Sequence, residues 1–389
     1  MPRAPIRKFR SGEAEVDDLG LTNARGTVTA HHSVPPYAGV PAFALNRRQL
    51  IRGLAFGGIC VPILLENLVR AEDISPFQDA PDEELAWVCP MHPNYTTTAK
   101  GVCPRCGMAL IQTRPYDTRD FQLVFRTEPA EVHAGEKVTL FCTFLRPGTG
   151  EVVKDFEIVH TKLFHLFVVS QDMKFFEHIH PVMREDGTWT IETTLPKPGY
   201  YKVLCDFMPQ GGSGQFLAAP LVTADYTGDM EADSAHLEPD RVLKKTMGDM
   251  TVSISYDPPQ PTSYEYVHLN YYLTDTKTGR PIVDLQTYLG AFGHVLMMSE
   301  DMEFYVHSHP INFLREPEDP AEIPEYIIPP DADLAAIRGG PHVVFDALMP
   351  KPGLFRAWVQ FQRNDQVRTI PFTLKVGQGT AAPVLSPVL

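Results

Sequence analysis

The chain repeats itself, and the repeat limits its fold more than any other feature. Displaced by 129 positions, Pro129–Pro181 aligns without a gap on the stretch Pro258–Pro310. Val138 meets Val267, Leu140 meets Leu269, and Thr149-Gly150 meets Thr278-Gly279. HLFVVSQDMKFFEHIHP (His165–Pro181) falls on HVLMMSEDMEFYVHSHP (His294–Pro310). Beyond that the displacement is 154, where Pro196-Lys197-Pro198-Gly199 meets Pro350-Lys351-Pro352-Gly353. The second copy has therefore gained 25 residues between Pro310 and Pro350, in a stretch containing EPEDPAEIPEYIIPPDAD. A proline-rich acidic insert of this kind is expected to form a surface excursion.

Both copies carry apolar residues at every second position. Examples are Val138, Leu140, Cys142 and Phe144, and Tyr201, Val203, Cys205 and Phe207. That period is the signature of half-buried strands. Thirty-six prolines against 27 glycines also favour strands and turns over long helices. The expected architecture is mainly β, with two tandem immunoglobulin-like antiparallel β-sandwiches over 118–226 and 240–377. Asp225–Asp240 reads as the linker between them, and 378–389 as a flexible tail. Cys142 and Cys205 share the inward phase of their strands, whereas their second-copy counterparts are Tyr271 and Val359. An inter-sheet disulfide is expected in an oxidising compartment; two buried free thiols are the alternative.

Histidines recur with the repeat. A four-residue hairpin loop at Ser170–Met173 sets His165 opposite His178, with His180 one diagonal step along the same face. The second copy repeats the pattern with His294, His307 and His309. Three imidazoles on one sheet face suit Cu(II) or Zn(II). The alternative is a His pair that closes a strand end by hydrogen bonding. Recurrence in copies that have otherwise diverged argues for two equivalent metal sites.

Trp87–Leu110 (WVCPMHPNYTTTAKGVCPRCGMAL) concentrates three of the six cysteines. Cys89 and His92 form C-x-x-H, and Cys103 and Cys106 form C-x-x-C ten residues later. Two short chelating pairs joined by a loop are what a four-coordinate metal needs. Disulfide bonding, the alternative, leaves one cysteine over and gives His92 no role. Cys89-Pro90-Met91-His92-Pro93 and Cys103-Pro104-Arg105-Cys106-Gly107-Met108-Ala109-Leu110 closely resemble the bacterial heavy-metal-binding domain of the CPMHP…CPxCGMxL type. In that family the module is attached to copper and other heavy-metal transporters and efflux proteins. The resemblance implies ligation by Cys89, Cys103 and Cys106, with His92, Met91 or Met108 completing the site. Thiolate with thioether suits Cu(I), and three thiolates with one imidazole suit Zn(II) equally well. A module of 84–113 has no core of its own, so the metal would supply much of its folding energy. The repeated histidine stretch resembles the HLFVVS…HLHP segments of exported bacterial proteins associated with metal handling.

Charge is distributed unevenly near the start. Residues 1–52 carry eight Lys or Arg and four acids, whereas 53–87 carry one Arg and seven acids. Between the blocks runs the apolar GLAFGGICVPILL, preceded by Asn46-Arg47-Arg48-Gln49-Leu50-Ile51-Arg52. This pattern predicts one N-terminal membrane-crossing helix over 49–71 with 1–48 cytoplasmic. It is either a twin-arginine-like signal cut near Val69-Arg70-Ala71 or an uncleaved anchor. A buried helix of a soluble domain fits less well, because of Pro62 and the charge asymmetry.

A net charge of -14 provides no footprint for nucleic acid. No Ser-His-Asp, paired-carboxylate or phosphate-loop pattern is present, and no His follows Cys205 to complete a cupredoxin set. The expected function is heavy-metal binding, of copper or zinc, without catalysis. The expected place is the periplasmic side of a bacterial inner membrane. The second expectation is an accessory subunit of a respiratory or photosynthetic membrane complex, with other subunits as partners and a structural metal.

Overall fold

The computed structural model describes residues 86–90, 95–104, 106–113, 121–314, 326–329 and 331–379. The segment expected to cross a membrane, 49–71, and the stretch before it lie outside the described residues. Among the described residues no helix is long and apolar enough to span a bilayer.

Three short strands build the cysteine module: β1 (Ala86–Val88), β2 (Thr96–Thr97) and β3 (Ile111–Thr113). The first sandwich comprises β4 (Gln122–Glu128), β5 (Lys137–Leu145), β6 (Phe164–Ser170), β7 (Phe176–Ile179), β8 (Val182–Met183), β9 (Trp189–Thr194), β10 (Tyr200–Phe207) and β11 (Gln215–Val222). In the second are β12 (Lys244–Met247), β13 (Met250–Asp257), β14 (Tyr266–Asp275), β15 (Leu285–Gln286), β16 (His294–Ser299), β17 (Tyr305–Ser308), β18 (Arg338–Gly339), β19 (His342–Leu348), β20 (Gly353–Arg363) and β21 (Gln366–Val376). The first sandwich packs sheet β4-β5-β9-β8 on sheet β11-β10-β6-β7. The second packs β12-β13-β14-β19 on a sheet in which β17-β16-β20 continues to β21. Every strand pair is antiparallel, so the fold is that of two immunoglobulin-like sandwiches in tandem.

Most strands alternate as the sequence predicts; β14 buries every second residue, and β4 alternates exposed with half-buried positions. β6 and β16 do not, because every residue of both is buried. Leu166 and Val168 enter the first core, and Val295 and Met297 the second. Phe167, Val169, Leu296 and Met298 turn the other way and join one cluster with Leu204, Met173, Met302 and Trp358. The two sandwiches therefore pack sheet against sheet through their β6 and β16 faces. The Trp358 ring stacks on Phe176 across this contact at 4.9 Å. The linker takes part: Ala235 and Leu237 are buried in the cluster, and Leu237 N–H donates to Glu300 Oε1.

The hairpin register differs from the expectation by two residues. Phe167, not His165, lies opposite His178, and Val169 lies opposite Phe176. The loop is thus Gln171–Lys174, because Ser170 Oγ accepts from Phe175 N–H and moves the closing pair outward. A shift of two preserves the face, so His165, His178 and His180 remain on one side. The second copy has the equivalent register, with Leu296 opposite His307.

Two further corrections concern covalent and packing detail. Cys142 and Cys205 lie in the first core as free thiols, 1% and 0% exposed, in place of the expected disulfide. Burial, then the neighbouring Cys142, pushes the Cys205 thiol well up. The rings of Phe144, Phe156, Phe164, Trp189 and Phe207 interlock between the sheets, so packing closes this core without a covalent tie. The acidic insert is not only a surface excursion. Ile328 is buried in the second core, held by Asn312, which exchanges two hydrogen bonds with its backbone.

Because both thiols are buried and unbonded, alkylation should leave Cys142 and Cys205 unmodified in native protein and modify both in denaturant. A Cys142–Cys205 cross-linked peptide from a non-reduced digest would contradict this. Trp358→Ala should cost about 3–5 kcal/mol, and calorimetry should then resolve separate unfolding of the two sandwiches.

Candidate metal centres

The cysteine module folds around its sulfurs. Cys89 N–H donates to Tyr95 O, Cys103 N–H to Met108 O, and Gly107 N–H to Cys103 O. The first bond ties Cys89 to Tyr95 and the other two close a second, tight turn; Cys89, Cys103 and Cys106 come together, with their sulfurs all within 4.8 Å of one another. The Cys89 and Cys106 sulfurs are 3.5 Å apart, far beyond the roughly 2.05 Å of a disulfide. Around them sit Leu110, Trp87, Tyr95 and Met108. Gly107 holds the second turn at φ +74°, and a Cβ there would meet the Tyr326 ring of the insert at 2.9 Å. The extra residues of the second sandwich thus wall the module. Burial, followed by the neighbouring thiols, pushes the Cys106 thiol well up. Met91 and His92 lie outside the described residues; Met108 is half-buried beside the cluster.

The histidines are arranged differently from the expectation. His165, His178 and His180 do converge, each offering a nitrogen within 4.8 Å of the others. His165 Nδ1 is 3.0 Å from His178 Nε2 and 3.2 Å from His180 Nε2. The second trio does not close as His294, His307 and His309. Its third member is His160, from the first sandwich, whose ring stacks on His309 at 3.5 Å. His307 turns instead toward Asp206 and makes a 2.6 Å hydrogen bond through Nδ1. The reason is the sheet-on-sheet contact, which brings both histidine faces to one place. Ring centroids of His165 and His307 are 5.2 Å apart, and those of His178 and His294 5.7 Å. Seven imidazoles from two sandwiches form one cluster, not two separate sites.

His160 was invisible to the repeat, since its counterpart is Leu289. It occupies a two-residue turn, Val159–Lys162, with φ +47° at His160 and +64° at Thr161. Such turns need φ > 0 at both central positions and favour Asn and Gly. His and Thr there break a local preference, which is the signal that single-sequence reading could have used. The second copy has the matching turn at Tyr288–Ala291. Burial and then the neighbouring imidazoles hold His165 down at about 4 and His160 and His180 at about 3. His178, His294 and His309 are held well below the usual range for the same causes. All six rings are neutral at pH 7 and can act as ligands.

No curated protein matches this chain. Solved structures that it resembles include the Escherichia coli adhesin FdeC, at 14% identity over 67% of this chain and 65% of that one, TM-score 0.21. The Yersinia pseudotuberculosis adhesin InvE matches at 9% identity over 67% and 61%, TM-score 0.18. A two-domain fibronectin type-III segment of chicken tenascin matches at 10% identity over 66% and 98%, TM-score 0.17. The chain spans less than two thirds of either adhesin. A model described as a heavy metal binding domain matches residues 86–113, the cysteine module. A second model, described as a domain of unknown function (DUF8832), matches 118–223 and 245–378. These two segments are the two sandwiches and make up more than half of the chain, which therefore belongs to the DUF8832 family.

Proposed function

We propose that this protein is an exported, membrane-tethered binder of copper or zinc that holds its metal in the cysteine module and does no catalysis. The observation that carries the reading is the buried triad of Cys89, Cys103 and Cys106 inside a heavy metal binding domain. Burial first, and then the neighbouring thiols, raise the Cys106 thiol, so sulfurs this close resist ionisation. A bound cation reverses that, since it deprotonates its thiol ligands and screens them from one another. At metal–sulfur bonds of about 2.3 Å, tetrahedral sulfurs lie roughly 3.8 Å apart. The observed 3.5 Å is close enough that little rearrangement is needed. His92 would be the fourth ligand for zinc, and Met91 or Met108 for copper. Tethering through 49–71 on the periplasmic side rests on the twin-arginine-like sequence and the charge reversal around it.

Full-length protein isolated from membranes should contain copper or zinc by elemental analysis, with sulfur scatterers at the metal edge. Cys103→Ser should weaken binding by about 100-fold or more, since loss of even an outer partner costs 10–100-fold. Cys142→Ser should leave binding unchanged. A sulfur-free metal shell, or full occupancy in Cys103→Ser, would overturn the assignment. N-terminal sequencing of the membrane-bound form should begin at Met1 or Pro2 if the segment is an anchor, and after Ala71 if it is cut.

A further inference from the structure

We infer that the contact between the two sandwiches is a second metal centre, built from histidines of both, that takes divalent first-row ions of the imidazole-preferring kind, Zn(II) or Cu(II). It is independent of the cysteine module in residues, chemistry and position.

Proton accounting carries the inference. His165 Nε2 lies 3.0 Å from Val159 O, and a carbonyl can only accept, so His165 holds its proton on Nε2. His178 Nδ1 lies 2.8 Å from Gln360 Oε1. The Gln360 amide also meets the Thr369 hydroxyl at 3.1 Å. With its oxygen toward the ring, as here, His178 holds its proton on Nδ1. The two remaining nitrogens, His165 Nδ1 and His178 Nε2, then face each other at 3.0 Å with lone pairs only. Such a contact is repulsive unless a cation lies between them. A metal ion between them takes up both lone pairs. Ligands at 2.0–2.1 Å in a tetrahedron are spaced about 3.3–3.4 Å, and His180 Nε2 stands 3.2 Å from His165 Nδ1 as the third.

The second copy makes the same arrangement. His294 Nε2 lies 2.9 Å from Tyr288 O, the repeat counterpart of Val159 O. Its Nδ1 is buried and makes no hydrogen bond. His307 Nδ1 donates to Asp206, the counterpart of Gln360, which leaves His307 Nε2 buried and also without a hydrogen bond. His160 Nε2 is a third such atom. In His165, His178, His294 and His307 one ring nitrogen is held by an oxygen and the other is aimed inward, the pairing that metal-bound histidines adopt. The ions would lie in two adjoining pockets, His165/His178/His180 and His160/His294/His309, with His307 between them. Because each pocket depends on groups from the other sandwich, loading it locks the two together.

Chelator-stripped full-length protein carrying Cys103→Ser, titrated with Zn(II) and separately with Cu(II), isolates this centre from the module. Native mass spectrometry should count bound metal, and the metal edge should show only nitrogen or oxygen scatterers with imidazole multiple scattering. His180→Ala, on a half-buried ring with no bond to the other sandwich, and His294→Ala should each lower affinity at least tenfold in that background. Unaltered protein, loaded to saturation, should show imidazole and sulfur scatterers together even if a variant misfolds. A shell of sulfur alone in the unaltered protein, or binding by His180→Ala and His294→Ala equal to that of their parent, overturns the site. Failure of the cysteine module instead would remove the sulfur shell and leave the imidazole one.

Discussion

The packing of one sheet of each sandwich between its own core and the other sandwich is the constraint on which the rest depends. β6 and β16 are buried along their whole length, so each presents one apolar face to its core and another to its partner. A strand in that position has no solvent in which to leave a polar atom, and each such atom must find a partner or cost free energy. Both strands nevertheless begin at or beside a histidine, His165 and His294, that is 2% or less exposed. The fold meets the requirement at one nitrogen of each ring through the carbonyls of the turns that precede the strands. At the other nitrogen it falls short: His165 Nδ1 meets only other imidazoles and His294 Nδ1 makes no hydrogen bond, a deficit concentrated where the two sandwiches touch.

Duplication explains why the deficit is shared. Two copies of one domain that bury the same face form a self-complementary contact, in which equivalent residues exchange partners. His178 reaches Gln360 and His307 reaches Asp206, and Gln360 and Asp206 are themselves equivalent. The turns before β6 and β16 meet as well, with Thr161 set against Gly290 so closely that a Cβ would stand 3.1 Å away. Symmetry breaks where function would differ. His160 replaces the leucine of the other copy and adds a seventh ring, and the acidic insert of the second copy reaches the cysteine module through Tyr326.

The two candidate centres are chemically distinct, and their settings match. The cysteine module is a small local fold with little apolar core beyond its own sulfurs and a few large side chains. Its stability and its ligand geometry are therefore one problem, solved together when a metal binds. The histidine cluster is the opposite case, because its ligands are held by strands, turns and a domain interface that are ordered by apolar packing. Its rings are placed before any ion arrives, which favours affinity by lowering the cost of organisation.

The residues alone determined the tandem β-sandwiches, the boundary of the duplication and the cysteine module. These follow from period-two apolar spacing and from ligands close in sequence, both of which are local properties. Face sharing by His165, His178 and His180 was also legible, since strand alternation survives a register error of two. The loop closure was not, because it turned on Ser170 Oγ capturing Phe175 N–H rather than on residue preference. Three matters belonged to the tertiary structure alone. Which outward face of a strand is covered depends on another domain, so the full burial of β6 and β16 could not be read from their own residues. The union of both histidine faces, and the exchange of His307 for His160, follow from that contact. Cys142 and Cys205 are neighbouring free thiols buried in one aromatic-rich core, an arrangement that no spacing of two cysteines encodes.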